Sequence, residues 1–198
     1  MMMQSKTKKK PQAAYTRADF HSKNGFLTDV WGPSMWLVLH TISFNYPCDP
    51  TDEQKETYRA FFDALWRVLP CGKCRDNLCK NLKCTRYGPH VYASREALSR
   101  WVYRLHACVN KMLHKPNDYT YAEVRSRFEN FRARCGGPAP RSSRRKRKKK
   151  EDGCTRPLPG HLKSKCLLQI VPKDECGGKE TMTIDRRCVA GASCVPRP

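Results

Sequence analysis

The stretch WGPSMWLVLHTISFNYP, residues 31–47, predicts a helix that is framed by prolines. Proline is tolerated in the first turn of a helix but does not continue one, so the Gly-Pro pair marks the start and the Tyr-Pro pair marks the end. Between them Trp36, His40 and Phe44 recur every four residues, and this spacing places the three rings on one helix face. The stretch therefore predicts a helix with an aromatic face that also carries an imidazole.

Four further helices are indicated by start signals followed by apolar residues at helical spacing. Thr51 and Thr120 are each followed three residues later by a glutamine or a glutamate, and such a pair forms a capping box at a helix start. Ser94 is a third N-cap candidate, and a short helix can start at Cys71 and run to about Leu82. No alternating strand pattern is visible in the sequence. The predicted fold class is therefore all-α, a small helical bundle.

Charge and composition divide the chain into four parts. The net charge of +21 is distributed as +5 over residues 1–24, +6 over residues 25–135 and +10 over residues 136–198, and the middle part holds all four tryptophans. We therefore expect a basic N-terminal tail at 1–24 and one folded domain at 25–135. A basic linker at 136–153 and a cysteine-containing extension at 154–198, to which no fold is assigned, complete the chain.

The run RRKRKKK, residues 144–150, has too little apolar surface to repay the ordering of the chain. A solvated linker, a nuclear-localisation signal and an arm that binds nucleic acid or another polyanion all fit this run. No apolar stretch approaches the ~20 residues that span a bilayer. The first residues carry positive charge without the apolar core of a secretory signal. We expect a cytoplasmic protein without a membrane partner, with a nuclear location as the alternative through residues 144–150.

The chain contains 12 cysteines, an unusual number for a reducing compartment, where structural disulfides are rare. Three of them lie in LPCGKCRDNLC, residues 69–79. A structural zinc site needs four ligands, usually from two pairs. No second C-x-x-C is present, and Cys79 lies about 140° around the helix from Cys74. A purely structural C-x-x-C disulfide is a weak alternative too. The loop that it closes is very short, so the bond constrains the unfolded chain little and adds little stability.

Redox catalysis fits the C-x-x-C pair better than either alternative. With a proline before it, Cys71 is expected at a helix N-terminus, where free N–H groups and the helix dipole favour the thiolate. Lys73 and Arg75 add positive charge beside it. Cys71 and Cys74 are therefore the predicted catalytic residues. A thioredoxin-like protein would need a βαβ context around the motif, and none is visible, so an all-helical protein needs a different electron acceptor.

Several short motifs follow one another in order along residues 28–135. They are G-x-x-x-W and W-x-x-L-H in the first helix, P-C-x-x-C at the third, and W-x-x-x-L-H-x-x-V-N in the fourth, followed by Lys-Pro at 115–116. Each motif alone is weak, and the ordered set is specific. The set resembles the Erv/ALR family of FAD-linked sulfhydryl oxidases, whose compact members include proteins of large cytoplasmic DNA viruses.

The resemblance implies a four-helix bundle plus a short fifth helix that hold FAD, commonly as a homodimer. Stripes on the first and fourth helices would grip the flat ring system by stacking and ring-edge hydrogen bonds. The predicted cofactor-binding residues are Gly32, Trp36, His40, Phe44, Trp101, His106, Val109, Asn110, Lys111, Lys115, Arg127 and Phe128. Lys111, Lys115 and Arg127 are the expected partners of the diphosphate. For each residue alone, the alternative is a core position or, for the basic residues, a solvated face.

The activity implied by the resemblance is that of a thiol oxidase, an enzyme that forms disulfides in reduced dithiol proteins. Electrons would pass through Cys71 and Cys74 to FAD and then to molecular oxygen, with release of hydrogen peroxide. No metal is expected, and a viral member would act in the host cytoplasm or in the virion. The competing class is a helical zinc-binding protein whose basic ends hold nucleic acid.

The sequence departs from the family pattern in three ways. Ala107 stands where the family commonly has an asparagine after the histidine. The family often joins its fourth and fifth helices by a disulfide, and those positions are Tyr103 and about Tyr121 here. No cysteine precedes Cys48, so the shuttle pair that many members carry in an N-terminal arm is missing. A relay pair in the C-terminal extension, at residues 188 and 194, and a disulfide-stapled appendage remain alternatives.

Overall fold

The computed structural model describes residues 16–134, 154 and 156–158. These residues form six α-helices, namely α1 (Arg17–His21), α2 (Thr28–Asn45), α3 (Asp52–Val68), α4 (Gly72–Cys84), α5 (Arg95–Met112) and α6 (Tyr121–Glu129). A short 3-10 helix, Pro89–Tyr92, lies between α4 and α5. Two-residue strands, β1 (Ala133–Arg134) and β2 (Arg156–Pro157), pair antiparallel. The all-α prediction is confirmed, and α2 to α6 are the five predicted helices.

The hydrophobic core lies where α2, α3, α4 and α5 meet, and the 3-10 helix closes it. Trp101 at its centre is 1% exposed, and its ring meets that of Phe62 edge to face with centroids 5.3 Å apart. The other buried members are Leu39, Tyr46, Leu65, Leu78, Val91, Tyr92, Leu98, Val102 and Leu105. Burial of one such side chain contributes about 1.5–3 kcal/mol to the stability of the folded domain.

The predicted helix starts at Thr51, Ser94 and Thr120 are confirmed. Both threonines form complete capping boxes, with Gln54 and Glu123 as their partners. The Ser94 hydroxyl accepts a hydrogen bond from the N–H of Ala97 at 3.2 Å. Each cap satisfies backbone donors that have no partner within the helix, a contribution of about 1 kcal/mol.

Helix α2 begins at Thr28, one turn before the Gly-Pro pair that we expected at its start. Pro33 therefore lies inside the helix, where its missing N–H removes one hydrogen bond. The earlier start is fixed by the Trp31 indole, whose Nε1 donates to the Phe26 carbonyl oxygen at 3.1 Å. Helix α4 ends at Cys84, two residues beyond the expected end.

Part of the predicted termini is described as well. Helix α1 falls in the segment expected to be an unstructured basic tail, and Asp19 accepts from the Thr16 N–H at 2.7 Å near its start. Strand β2 belongs to the predicted C-terminal extension and pairs with the end of the domain. Residues 144–150, 188 and 194 lie outside the described residues. Among the described helices, none combines the length and the apolar character needed to cross a membrane.

Candidate active site

The two cysteines of the C-x-x-C motif form a disulfide at the start of α4. Cys71 is the N-cap of this helix, as predicted, and its Sγ accepts from the backbone N–H of Cys74 at 3.2 Å. Both residues are half-buried, so a substrate thiol can reach the bond. A thiolate formed at Cys71 would be stabilised by this N–H and by the positive end of the helix dipole.

A segment before α2 packs its backbone directly against this disulfide. The Gly72 N–H donates to the Lys23 carbonyl oxygen at 3.0 Å, and the Phe26 N–H donates to the Pro70 carbonyl oxygen at 2.9 Å. The two segments can approach closely because each has a glycine at this point. A Cβ on Gly25 would lie 1.7 Å from the Pro70 oxygen, and one on Gly72 would lie 2.5 Å from the Lys23 oxygen. No pattern in the sequence predicts this contact.

We expect Gly25→Ala to separate residues 23–26 from the redox motif, because the added methyl group overlaps the backbone of Pro70. Hydrogen exchange at the amides of Phe26 and Gly72 should then become at least about tenfold faster. Gly88→Ala is the matched control, since its backbone is extended and a Cβ there would lie 3.4 Å from its nearest neighbour, a side-chain atom of His90. Unchanged exchange in Gly25→Ala would contradict the contact.

Five of the predicted cofactor residues form one cluster between α2, α5 and α6. Trp36 stacks on His106 with ring centroids 4.0 Å apart and planes 7° apart, and His40 Nε2 lies 3.1 Å from His106 Nδ1. Phe128 on α6 stacks on both His40, at 5.1 Å, and Phe44, at 5.3 Å. The stripes on α2 and α5 therefore face each other, as the sequence predicted, and α6 adds a third side.

Both histidines of this cluster are held neutral. Burial, and then the neighbouring His106, lower the pKa of His40 to about 3, and burial, and then Lys115, lower the pKa of His106 to about 4. A neutral imidazole has one donor and one acceptor nitrogen. His40 Nδ1 is buried and has no hydrogen-bond partner among the described residues. A buried polar atom without a partner is unusual and marks a place where a ligand atom could bind.

The depressed histidine pKa values predict a loss of stability in weak acid. Above about pH 6.5 the imidazoles are neutral in both states, and below it they bind protons in the unfolded chain but not in the folded one. Stability should therefore fall by about 3 kcal/mol between pH 6.5 and pH 5 for the two residues together. Urea unfolding across this range measures the slope. His90→Ala, at an exposed histidine, should leave the slope unchanged, and a flat profile in the native chain would contradict the neutral pair.

The predicted diphosphate partners lie at the ends of α5 and α6. Lys115 is exposed, 3.9 Å from Asp29, and its charge acts on His106. Arg127 is half-buried, and its guanidinium lies 4.5 Å from the centre of the Tyr119 ring. Lys111 is exposed at the end of α5. Their role toward a diphosphate stays a prediction.

Of the four remaining predicted residues, three lie on α2 or α5 within one turn of a cluster residue, and one lies in the core. Asn110 lies one turn beyond His106, and its Nδ2 donates to Asn117 Oδ1 at 3.1 Å. Val109 is half-buried on the same helix, and Gly32 lies one turn before Trp36. Trp101 is placed elsewhere, because its indole Nε1 donates to Thr85 Oγ1 at 3.2 Å inside the core. The structure thus does not bring Trp101 to the cluster.

Two tyrosines, Tyr103 and Tyr121, occupy the positions at which the resemblance places a disulfide in other family members. The rings of Tyr103 on α5 and Tyr121 on α6 meet nearly edge to face, with centroids 5.8 Å apart. The Tyr103 hydroxyl also donates to the Tyr119 carbonyl oxygen at 2.9 Å. An aromatic contact, rather than a covalent bond, thus joins these two helices at this point.

Part of the chain is similar to known proteins. The model of the Erv1 / Alr family matches residues 33–129. The chain is 40% identical over 82 residues to the "Probable FAD-linked sulfhydryl oxidase" of Acanthamoeba polyphaga mimivirus, covering 41% of this chain and 57% of that protein. It is 38% identical over 85 residues to the mitochondrial FAD-linked sulfhydryl oxidase ERV1 of Saccharomyces cerevisiae, covering 43% of each. The chain thus spans about half the length of the curated relatives it matches.

A solved structure is also similar. The FAD binding domain of Erv1 from Saccharomyces cerevisiae is 33% identical, and the match covers 49% of this chain and 89% of that chain with a TM-score of 0.44. The fold and the disulfide define a helical protein with a redox motif at a helix N-terminus. The match of residues 33–129 to the Erv1 / Alr family model confirms the resemblance drawn from the motifs.

Proposed function

We propose that this chain is an FAD-dependent thiol oxidase that forms disulfide bonds in reduced dithiol proteins. The observation that carries the proposal is the Cys71–Cys74 disulfide at the N-cap of α4, in the same domain as a ring cluster built on α2, α5 and α6. The relatives named above are described as FAD-linked sulfhydryl oxidases. The shared family and the chemistry of these residues point to the same activity.

The residues of the cluster fit FAD. The free Nδ1 of His40 offers a hydrogen bond to a ring edge, and the Trp36–His106 stack offers a flat surface for an aromatic ring. The space beside Gly32 is open, and Lys111, Lys115 and Arg127 would hold the diphosphate. When bound, FAD would supply the two-electron acceptor and the route to molecular oxygen, with hydrogen peroxide as the product.

The cysteines carry out thiol–disulfide exchange with the substrate. A substrate thiolate attacks Cys71 Sγ, the bond between Cys71 and Cys74 breaks, and Cys74 leaves as a thiolate. The second substrate thiolate then attacks the substrate sulfur of the mixed disulfide, and Cys71 leaves. The Cys74 N–H that contacts Cys71 Sγ stabilises the charge on this leaving group. The substrate has then lost two protons and two electrons, and the cysteine pair is reduced.

The partners and the location belong to the proposal too. Reduced dithiol proteins are the substrates, oxygen is the acceptor, and the active form is a homodimer. Exposed apolar side chains near the start of α2, Phe26 and Leu27, are surface that a second protein chain could cover. The cytoplasm, or the virion of a large DNA virus, is the proposed location. Binding of nucleic acid through residues 144–150 remains a prediction from charge alone.

The alternative of a zinc-binding module has no support. A thiolate is the zinc ligand, and the two cysteines of the only C-x-x-C motif are consumed in a disulfide. The match to the Erv1 / Alr family model gives this alternative no support either.

The absorption spectrum of the purified full-length protein tests the proposal. We expect a yellow protein with a flavin spectrum and about one FAD per chain. Dithiothreitol in air should then drive oxygen uptake. A colourless protein that cannot be loaded with FAD, and that contains one equivalent of zinc, would overturn the proposal and restore the alternative.

A further inference from the structure

Two reduced cysteines outside the redox motif lie in contact with each other. Cys84 is the last residue of α4, and Cys108 lies in the last two turns of α5. Neither forms a disulfide in the structure. Cys108 Sγ donates to Asn81 Oδ1 at 3.5 Å, and Asn81 lies three residues before Cys84 on the same side of α4. Cys84 also acts electrostatically on the Cys108 thiol, so the two residues lie close together on neighbouring helices.

A second hydrogen bond between the two helices, which involves neither thiol, supports this placement. Trp101 Nε1 donates to Thr85 Oγ1 at 3.2 Å, and this bond holds the end of α4 against the middle of α5. Asn81 lies about one turn before Thr85, and Cys108 lies about two turns after Trp101. Two hydrogen bonds at different levels therefore set the register in which Cys84 faces Cys108.

We propose that Cys84 and Cys108 form a second, interhelical disulfide that clamps α4 to α5 under oxidising conditions. A small-molecule disulfide of the glutathione class is the oxidant. Cys84, the exposed thiol, attacks it and forms a mixed disulfide with release of one thiol. Cys108 then attacks Cys84 Sγ and releases the second thiol, so the cysteines lose two protons and two electrons and the oxidant is reduced to two thiols.

The order of the two steps follows from exposure. Burial, and then the hydrogen bond with Cys84, raise the pKa of the Cys108 thiol, which makes it the poorer first nucleophile. Once Cys84 carries the mixed disulfide, Cys108 is already beside it. The second step is therefore intramolecular and needs no encounter in solution.

The clamp is separate from the catalytic pair. Cys84 lies ten residues after Cys74 on the same helix, about 15 Å along its axis, which is too far for direct exchange between the two pairs. The clamp therefore carries no electrons to the redox motif. It would join the helix that begins at the redox disulfide to the helix that carries His106, two residues before Cys108. The inference depends on the fold and not on the proposed function.

Peptide mapping tests the bond directly. Trypsin cleaves after lysine and arginine, so Cys84 is released in CTR (residues 84–86) and Cys108 in LHACVNK (residues 105–111), each with a single cysteine. We expect these two peptides to be linked after treatment of the full-length protein with oxidised glutathione, and separate after reduction. The link should also form in the double variant Cys71→Ser with Cys74→Ser, in which the proposed oxidase is inactive. Absence of the linked peptide in both proteins would overturn the inference.

Thermal unfolding tests what the bond does. A disulfide that closes a loop of this length should raise the melting temperature by roughly 10 °C relative to the reduced protein. The oxidant-dependent shift should be lost in Cys84→Ser. It should persist in Cys79→Ser, a change at another exposed reduced cysteine of the same helix. An equal shift in Cys84→Ser and in the native chain would overturn the clamp, even if the linked peptide were found.

Discussion

Replacement of Cys74 by serine is expected to lower dithiol-dependent oxygen uptake at least ~1000-fold while the protein keeps its FAD. In the proposed reaction Cys74 is the thiolate released by attack at Cys71, and a serine oxygen neither forms the disulfide nor transfers an electron pair. The structure places Cys74 in the first turn of α4 with its sulfur bonded to Cys71. The rate of oxygen consumption with dithiothreitol measures the effect.

Cys79→Ser is the matched control, because Cys79 is an exposed, reduced cysteine five residues later on the same helix. The control should retain the rate of the native chain. Near-normal turnover by Cys74→Ser would contradict the assignment of the catalytic pair. Cys71→Ser is expected to be equally inactive, since it removes the sulfur that the substrate attacks.

The second large effect is expected for His106→Ala, which should release FAD and lower the stability of the folded chain. The change removes the stacking partner of Trp36 and leaves His40 Nε2, in a residue that is 4% exposed, without its hydrogen bond. An unpaired buried polar group costs about 1–3 kcal/mol. Loss of a ligand present at 100 times its dissociation constant removes about 2.7 kcal/mol more. The flavin-to-protein ratio reports the loss of FAD, and the melting temperature reports the sum of the two losses of stability.

His90→Ala provides the comparison for this variant, because His90 is exposed on the 3-10 helix and lies outside the ring cluster. It should keep both the flavin and the melting temperature. If purified His106→Ala kept a full complement of flavin and melted at the temperature of the native chain, the cluster would be ordinary core and the cofactor would bind elsewhere.

The features that the sequence predicts well are those that depend on neighbouring residues. Capping boxes at Thr51 and Thr120 and the N-cap position of Cys71 are set within four residues of the chain, and all three are found. The start of α2 is set instead by the indole of Trp31 reaching back to Phe26. The Gly-Pro pair one turn later was therefore a misleading signal.

Contacts between distant segments are less accessible to sequence reasoning. Helical spacing places Trp101 and His106 about 140° apart on α5, so their side chains point in different directions. The family motif contains both residues and does not show that they point to different sides of the helix. The contact of Lys23 with Gly72 joins segments nearly fifty residues apart. The only sequence signal for it was a glycine on each side, and glycine has many other uses. The proximity of Cys84 and Cys108 likewise depends on how α4 packs against α5, which the sequence of neither helix shows.

The most direct test of the central claim is an anaerobic titration of the FAD-loaded, full-length protein with dithiothreitol, followed by flavin absorbance. We expect the absorbance to bleach in the native chain, to return when air is admitted, and to persist throughout in Cys74→Ser. Absorbance that dithiothreitol does not bleach in the native chain, or that it bleaches equally fast in Cys74→Ser, would contradict electron transfer from substrate thiols through the Cys71–Cys74 pair.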